Sequence, residues 1–190
     1  MASVSLPVEV KCQNRQRCIM GLLGCIRVQA HCMNNSTTDC KNFLENFPVR
    51  LKELRSDFDK IRRYYEDKDY IETPLLDENV LNDFQNPFGC HAINEVLRFY
   101  LDTVLPTAIN EEVSTHYAKP INSIGSIFNQ LKRKILYCRN YFSCKKPFEL
   151  DNIMTTYKKM QGQGLYKAMG ELGLLFNYIE EYMASVKPKH

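Results

Sequence analysis

The residues of this 190-residue sequence with the most distinctive chemistry are its eight cysteines. Three precede residue 30, and the other five are Cys32, Cys40, Cys90, Cys138 and Cys144. Cysteines at this density are typical of chains that fold in an oxidising compartment, which predicts disulfide bonds. Because five is an odd number, one thiol is spare or pairs between chains, and the other four can pair in three ways. No Cys-x-x-Cys pair occurs, and no histidine stands at ligand spacing from a cysteine pair, so we predict no metal site.

Residues that serve in catalytic centres are present but form no known catalytic pattern. The four histidines are scattered along the chain, at His31, His91, His116 and His190. The sequence contains no glycine-rich phosphate loop, no Gly-x-Ser-x-Gly elbow and no His-Glu-x-x-His motif. We therefore predict that the protein is not an enzyme and that it uses no cofactor.

The first 30 residues have the order of parts that is typical of a secretory signal peptide. Lys11, Arg15 and Arg17 form a basic region, an apolar run covers residues 19–26, and Ala30 ends a segment with small residues. The apolar run is short, which makes this signal an atypical one. We predict a signal peptide at 1–30, cleavage after Ala30, and one secreted, extracellular domain at 31–190.

The net positive charge of the chain belongs to this N-terminal segment. The whole chain has 25 basic and 22 acidic residues, and residues 1–30 hold four of the basic and one of the acidic residues. The rest is balanced, with 21 of each sign. Because a nucleic-acid-binding protein needs a basic surface, the charge does not favour nucleic acid as a partner. No stretch is long and apolar enough to cross a bilayer, so we predict no membrane insertion.

Apolar residues recur every three or four positions through the rest of the chain, which is typical of amphipathic α-helices. No stretch alternates apolar and polar residues as a strand does. The pattern predicts an all-α fold of six helices, with Pro48 in the first turn of the first helix, Pro106 just after the third and Pro120 starting the fourth. The predicted ranges are 47–65, 75–84, 90–105, 120–142, 150–160 and 165–183. Residues 31–39 and 107–119 are predicted to be polar loops.

The first and the sixth predicted helices carry charged faces opposite their apolar stripes. Such faces are most often simply solvated, but they also form binding surfaces, and they fit a binding protein better than an active site. Helical phase places the following charged residues outside: Lys52, Arg55, Arg62 and Glu66 on the first helix, and Lys167, Glu171 and Glu180 on the sixth.

Two further surface features are candidates for modification or binding. Asn34 and Asn35 begin overlapping Asn-x-Ser/Thr sequences, so either could carry a glycan in an exported protein. Lys132, Arg133 and Lys134 lie partly on the outer face of the fourth helix. A solvated basic face is the favoured interpretation of that stretch, and weak binding of heparin-like polyanions is the alternative.

The sequence of the sixth helix is more specific than its periodicity. YKAMGELGLLFNYIEEYM, at 166–183, resembles the C-terminal signature of the interleukin-10 cytokines. FPVRLKELRSDF (47–58) and GCHAINEVLRFYLDTVLPTA (89–108) look like that family's first and third helices, and CRNYFSC (138–144) like its paired cysteines. NSIGSIF (122–128) is similar to the fish-type members, and both a vertebrate cytokine and a viral homologue fit these motifs. The resemblance covers about four-fifths of the chain, from Cys40 to the C-terminus.

The resemblance implies a six-helix cytokine bundle and an intertwined, domain-swapped homodimer in which the fifth and sixth helices cross to the partner. It implies that Cys40 pairs with Cys138 and that Cys90 pairs with Cys144. Gly173 stands where the family usually has an acidic receptor contact, and Gly170 also departs from the usual pattern. The receptor-binding face that the resemblance implies consists of Lys52, Arg55, Arg62, Glu66, Lys167, Glu171 and Glu180.

The favoured hypothesis is a secreted cytokine that binds class II cytokine receptors, one chain of high affinity and one shared chain of low affinity. The resemblance implies signalling through Janus kinases and STAT factors, with immunosuppressive regulation of macrophages and lymphocytes. Two alternatives stay open: a disulfide-bonded helical protein that binds lipid or another small ligand, and an intracellular helical adaptor that keeps residues 1–30. The first alternative needs an internal apolar cavity, whereas the bulky apolar stripes predict a filled core.

Overall fold

The computed structural model describes residues 29–111, 114–142, 144 and 151–186. All regular structure in these residues is helical and they contain no strand, so the predicted all-α fold is confirmed. The predicted signal peptide, 1–30, lies outside the described residues except for its last two positions. Residues 145–150, which connect the fourth predicted helix to the fifth and include the fifth helix's first position, also lie outside them.

Nine α-helical segments, one π-helical turn and one 3₁₀ turn make up the described chain. They are α1 (Gln29–Asp59), α2 (Arg62–Glu66), α3 (Glu78–Gln85), α4 (Gly89–Phe99), the π turn (Tyr100–Val104), α5 (Leu105–Asn110), α6 (Ser114–Tyr137), α7 (Asp151–Lys159), the 3₁₀ turn (Gln161–Gln163), α8 (Gly164–Gly170) and α9 (Leu172–Ser185). Three predicted helices are thus divided: the first into α1 and α2, the third into α4, the π turn and α5, and the sixth into α8 and α9. Joining these segments returns the six helices that the sequence predicts.

The apolar stripes of these helices meet in one core, to which α9 contributes seven buried residues. The ring of Phe176 on α9 lies 5.9 Å from that of Phe58 on α1 and 6.2 Å from that of Phe128 on α6, in edge-on contacts. Tyr100 in the π turn is fully buried, and its hydroxyl donates to the Ala168 carbonyl of α8 at 2.7 Å. Each edge-on aromatic pair contributes about 0.5–1.5 kcal/mol beyond its buried area. Bulky side chains therefore fill the space between the helices.

The helix ends predicted at three prolines are wrong. Pro48 lies inside α1 and Pro120 inside α6, while Pro106 is the second residue of α5, which directly follows the π turn. In that turn the N–H of Leu105 donates to the carbonyl of Tyr100, five residues earlier. A proline inside a helix costs roughly 3 kcal/mol, and burial of the apolar residues on both sides offsets that cost. As a result, most of the predicted loop at 107–119 is helical.

The predicted polar loop at 31–39 is also wrong, because α1 begins at Gln29 and includes it. Cys40 is buried and disulfide-bonded, so a packed helical turn already exists there. Extending an existing helix is much easier than starting one, which explains why this polar sequence is helical. The backbone of Asn34 and Asn35 belongs to α1, and their glycosylation stays a prediction.

Both disulfides that the resemblance implies are present. Cys40 at the N-terminal half of α1 is bonded to Cys138 just after α6, with their Cα atoms 5.7 Å apart. Cys90 at the start of α4 is bonded to Cys144, with Cα atoms 5.9 Å apart. His91 lies close to the Cys90–Cys144 disulfide. The two sulfur atoms of that disulfide are bonded to each other, so they cannot act as thiolate ligands of a metal ion.

The described chain forms its bundle by itself, with α9 against α1 and α3 and with α8 against α2. Exchange of helices between two chains stays a prediction, since the segment at 145–150 that would decide it lies outside the described residues. None of the helices in the described ranges has the length and apolar character needed to cross a bilayer.

Candidate receptor-binding face

The exposed face that α1 and α9 share brings together two residues of the predicted receptor-binding set. Nη2 of Arg55 lies 2.7 Å from Oε2 of Glu180, and it donates a second hydrogen bond to Oδ1 of Asn177 at 2.9 Å. About half of the Arg55 and Glu180 side chains is exposed. Residues that are 125 positions apart therefore form one continuous polar surface.

Arg62, Glu66 and Lys52 extend this surface along α2 and α1. Nε of Arg62 lies 2.7 Å from Oε1 of Glu66 one helical turn later, and both side chains are largely exposed. Lys52 is exposed and borders a shallow depression of about 330 Å³ between α1 and α6. Five of the seven predicted residues are thus exposed, as helical phase predicts. We call Lys52, Arg55, Arg62, Glu66 and Glu180 the receptor-binding face after their predicted role, which stays a prediction.

The prediction that Lys167 and Glu171 lie on an exposed face is wrong. Only 7 % of Lys167 is exposed, and its Nζ lies 2.8 Å from Oδ2 of Asp69 and 4.0 Å from Oε1 of Glu171. These three residues form a mostly buried ionic cluster at the junction of α8 and α9. Helical phase could not reveal this, because the chain segment 67–77, between α2 and α3, covers that side of the helix. The predicted start of the second helix at Leu75 is wrong, since α3 begins at Glu78 after its N-cap Asp77.

Glu171 binds that loop through backbone hydrogen bonds. The N–H of Leu76 donates to Oε2 at 2.7 Å, and the N–H of Leu75 donates to both carboxylate oxygens at 3.1 Å. Burial raises the pKa of the Glu171 carboxyl, although the two N–H groups and Lys167 act in the opposite direction. The carboxylate therefore fixes the loop just before α3 onto the helix that carries Glu180.

The predicted sixth helix is interrupted at Glu171 itself. Its N–H still donates to the carbonyl of Lys167, and its carbonyl accepts the N–H of Leu175, each at 3.0 Å. The hydrogen-bond ladder thus continues across the junction of α8 and α9. Two residues later, a Cβ on Gly173 would lie 3.2 Å from the Phe58 ring, so glycine permits the close approach of α9 to α1.

The sequence did not reveal two contributors to this region, Asp69 and Asn177. Asp69 is an acid in a predicted loop, and Asn177 is one polar residue on a mostly apolar helix. Nothing in their spacing distinguishes them from solvated side chains. A further contact that the sequence did not reveal is that of Lys68, whose Nζ donates to the Tyr64 hydroxyl at 2.8 Å and lies 4.0 Å from the centre of the Tyr64 ring.

The arrangement can recognise a protein surface through charge and hydrogen bonds. It consists of half-exposed guanidinium and carboxylate groups held on rigid helices, which is the kind of group that sets specificity at protein interfaces. Lys167 and Glu171, the two buried residues of the predicted set, lie outside this face and contact each other and the loop.

Comparison with known proteins agrees with this description. The family described as Interleukin 10 matches residues 15–185 of the chain. The chain is 37 % identical over 164 residues to interleukin-10 of Gallus gallus, which covers 85 % of this chain and 91 % of that protein. It is 33 % identical over 169 residues to interleukin-10 of Felis catus, an alignment that covers 87 % of this chain and 93 % of that protein. It is also 33 % identical over 146 residues to interleukin-10 of Trichosurus vulpecula, which covers 76 % of this chain and 83 % of that protein. On this evidence the chain belongs to the interleukin-10 family, whose members are cytokines and not enzymes.

Proposed function

We propose that this protein is a secreted cytokine that signals by docking its receptor-binding face on class II cytokine receptors. The observation that carries the proposal is the contact of Arg55 with Glu180 and Asn177, which joins two helices into one exposed polar surface. An exposed ion pair of this kind contributes only about 0–1 kcal/mol to stability. Its charges are therefore available to pair with a receptor at little cost to the fold.

Lys167 and Glu171 have a different role in this proposal. Because both are mostly buried, they do not supply the main contacts to a receptor. They act as positioning residues, which hold the loop at 67–77 against α8 and the start of α9. The receptor then meets a preformed surface, and less conformational entropy is lost on binding.

The finer parts of the proposal follow from the family. We propose two receptor chains, one of high affinity and one shared chain of low affinity, with signalling through Janus kinases and STAT factors that suppresses macrophages and lymphocytes. We also propose a homodimer in which α7, α8 and α9 are exchanged between partners. In support, seven of the 14 residues of α9 are buried, so this helix needs other helices to pack against, whichever chain supplies them.

Export, glycosylation and polyanion binding complete the proposal. The leader at 1–30 supports export with cleavage after Ala30, which N-terminal sequencing of the secreted product would test. Asn34 or Asn35 would carry a glycan. Arg133 and Lys134 are exposed and Lys132 is half-buried, so this stretch of α6 could also bind a heparin-like chain weakly.

The proposed function is tested by adding the secreted protein to receptor-bearing macrophages and following STAT phosphorylation with dose. We expect a saturable response that an antibody against the high-affinity receptor chain abolishes. No response at any dose, with a protein that melts cooperatively, would contradict the proposal.

A further inference from the structure

A groove of about 590 Å³ runs along the surface between α1 and α6. Its floor is apolar, formed by the largely buried side chains of Phe47, Ile127 and Leu131. None of its lining residues belongs to the receptor-binding face, so the groove has no part in the proposed receptor docking, although Arg133 and Lys134 also belong to the stretch proposed to bind a heparin-like chain. Its volume lies within the range of about 300–1,000 Å³ that small-molecule sites have.

Three cations line this groove, and no acidic residue does. Arg50 on α1 is paired with Glu53, which does not line the groove, at 2.7 Å. On α6, Nε of Arg133 donates to the carbonyl of Asn129 at 3.2 Å, and Lys134 lies over the ring of Tyr137. Neither Arg133 nor Lys134 forms an ion pair with any residue in the described ranges. The groove therefore combines an apolar floor with a positive edge.

This combination selects one ligand chemistry. We propose that the groove binds a fatty-acid carboxylate, with its alkyl chain along the floor and its carboxylate at Arg133 and Lys134. From Ile127 to Tyr137 the helix rises about 15 Å, which accommodates one extended chain of medium length. A sulfated polysaccharide has no apolar part to place on the floor. A bilayer surface is flat, whereas a single alkyl chain can lie in the groove between the two helices.

The proposal is tested by calorimetric titration of the secreted protein with dodecanoate below its micelle concentration. We expect one dodecanoate per chain with a Kd on the order of 0.1 mM, as suits a ligand of this size in an open groove. Dodecanol has the same chain without the charge and should bind about tenfold more weakly or worse. Gln130→Trp, at an exposed position in the wall, should block the groove and abolish binding.

Charge reversals separate the positive edge of the groove from the general charge of α6. The double variant Arg133→Glu, Lys134→Glu should weaken dodecanoate binding at least tenfold. Lys132→Glu changes the same charge one residue away, outside the groove lining, and should leave the Kd within about twofold. Circular dichroism melts identify any variant that fails to fold. If one does, nuclear Overhauser contacts between the alkyl protons and the Tyr137 ring of the parent protein still decide the question.

Three results would overturn the proposal. The first is binding of several dodecanoate molecules per chain that Gln130→Trp does not change, which is detergent-like association. The second is binding to vesicles of anionic phospholipid without binding to dodecanoate. The third is the absence of any contact between the alkyl chain and Tyr137 at saturating dodecanoate.

Discussion

Replacing Lys167 by methionine should destabilise the protein far more than the replacement of an exposed lysine does. Lys167 is the cation of the buried cluster, with Nζ 2.8 Å from Asp69 and 4.0 Å from Glu171, and 9 % of its side chain is exposed. Methionine keeps the apolar stem and most of the volume, so the change removes mainly the charge. Two carboxylates are then left close together in a poorly solvated place.

The expected loss follows from that geometry. Removing one partner of a buried ion pair costs about 3–5 kcal/mol, because the remaining charge is buried and uncompensated. For a chain of this size each kcal/mol lowers the melting temperature by about 2–4 °C, so the melt should fall by about 6–20 °C. Glu171→Gln should cost less, about 1.5–3 kcal/mol, since the amide oxygen can still accept one of the two loop N–H groups.

Thermal and urea unfolding followed by circular dichroism provide the measurement, and Lys41→Met is the matched control. Lys41 is also ion-paired on a helix, with Glu45 at 3.7 Å, but both side chains are mostly exposed. Its replacement should change the free energy of unfolding by less than about 0.5 kcal/mol. The deficit of Lys167→Met should shrink at lower pH, where protonation of a carboxyl relieves the repulsion. Equal melting temperatures for the two variants would refute the buried cluster.

Three other predictions concern packing, the disulfide framework and buried tyrosines. Gly173→Ala should lower the melting temperature more than Gly170→Ala does, because a Cβ at position 173 would lie only 3.2 Å from the Phe58 ring, whereas a Cβ at position 170 has its nearest atom at 3.7 Å. Equal melting temperatures for the two variants would contradict the close approach of α9 to α1. Cys138→Ser should cost about 2–5 kcal/mol and prevent folded protein from accumulating, and an unchanged melt would show that the bond is irrelevant. Burial raises the pKa of tyrosines such as Tyr65 above the usual 10.0, so the folded protein favours their neutral form. The stability that these neutral tyrosines contribute is fully present below pH 10 and is lost as the pH rises above 10. The chain has no tryptophan, so absorbance at 295 nm reports tyrosine ionisation. Exposed tyrosines such as Tyr70 should ionise first with the helix intact, and the rest of the rise should accompany loss of helical dichroism; ionisation of all 11 tyrosines with full retention of helix would contradict this burial.

Much of the fold could be predicted because each helix has a regular apolar stripe. Residues on those stripes, such as Leu54, Ile124 and Phe176, are fully buried. The helix ends were harder to predict, since local rules for proline compete with burial. At Pro48 and Pro120 burial of the neighbouring apolar residues is the stronger effect, and the helix continues.

The candidate site could be predicted only in part, for a related reason. Helical phase tells which side of a helix faces away from its own apolar stripe, and it placed Arg55 and Glu180 correctly. It does not tell whether another segment covers that side. Lys167 and Glu171 point away from the stripe of their helix, but the loop that holds Asp69 and Leu76 lies over them. The disulfide pairing came from the resemblance, because spacing alone left three pairings open.

The receptor-binding face is tested most directly by measuring receptor affinity for Arg55→Ala and Glu180→Ala, with Arg98→Ala as the control. Arg98 is exposed and ion-paired with Glu95 at 2.8 Å, but it lies on α4, outside the face. We expect all three variants to melt like the parent, and Arg98→Ala to bind like it. Loss of a charged anchor that is desolvated in an interface costs about 2 kcal/mol, so Arg55→Ala should bind the high-affinity receptor chain about thirtyfold more weakly, and Glu180→Ala somewhat less so. Parental affinity in both variants would show that the receptor docks on another surface.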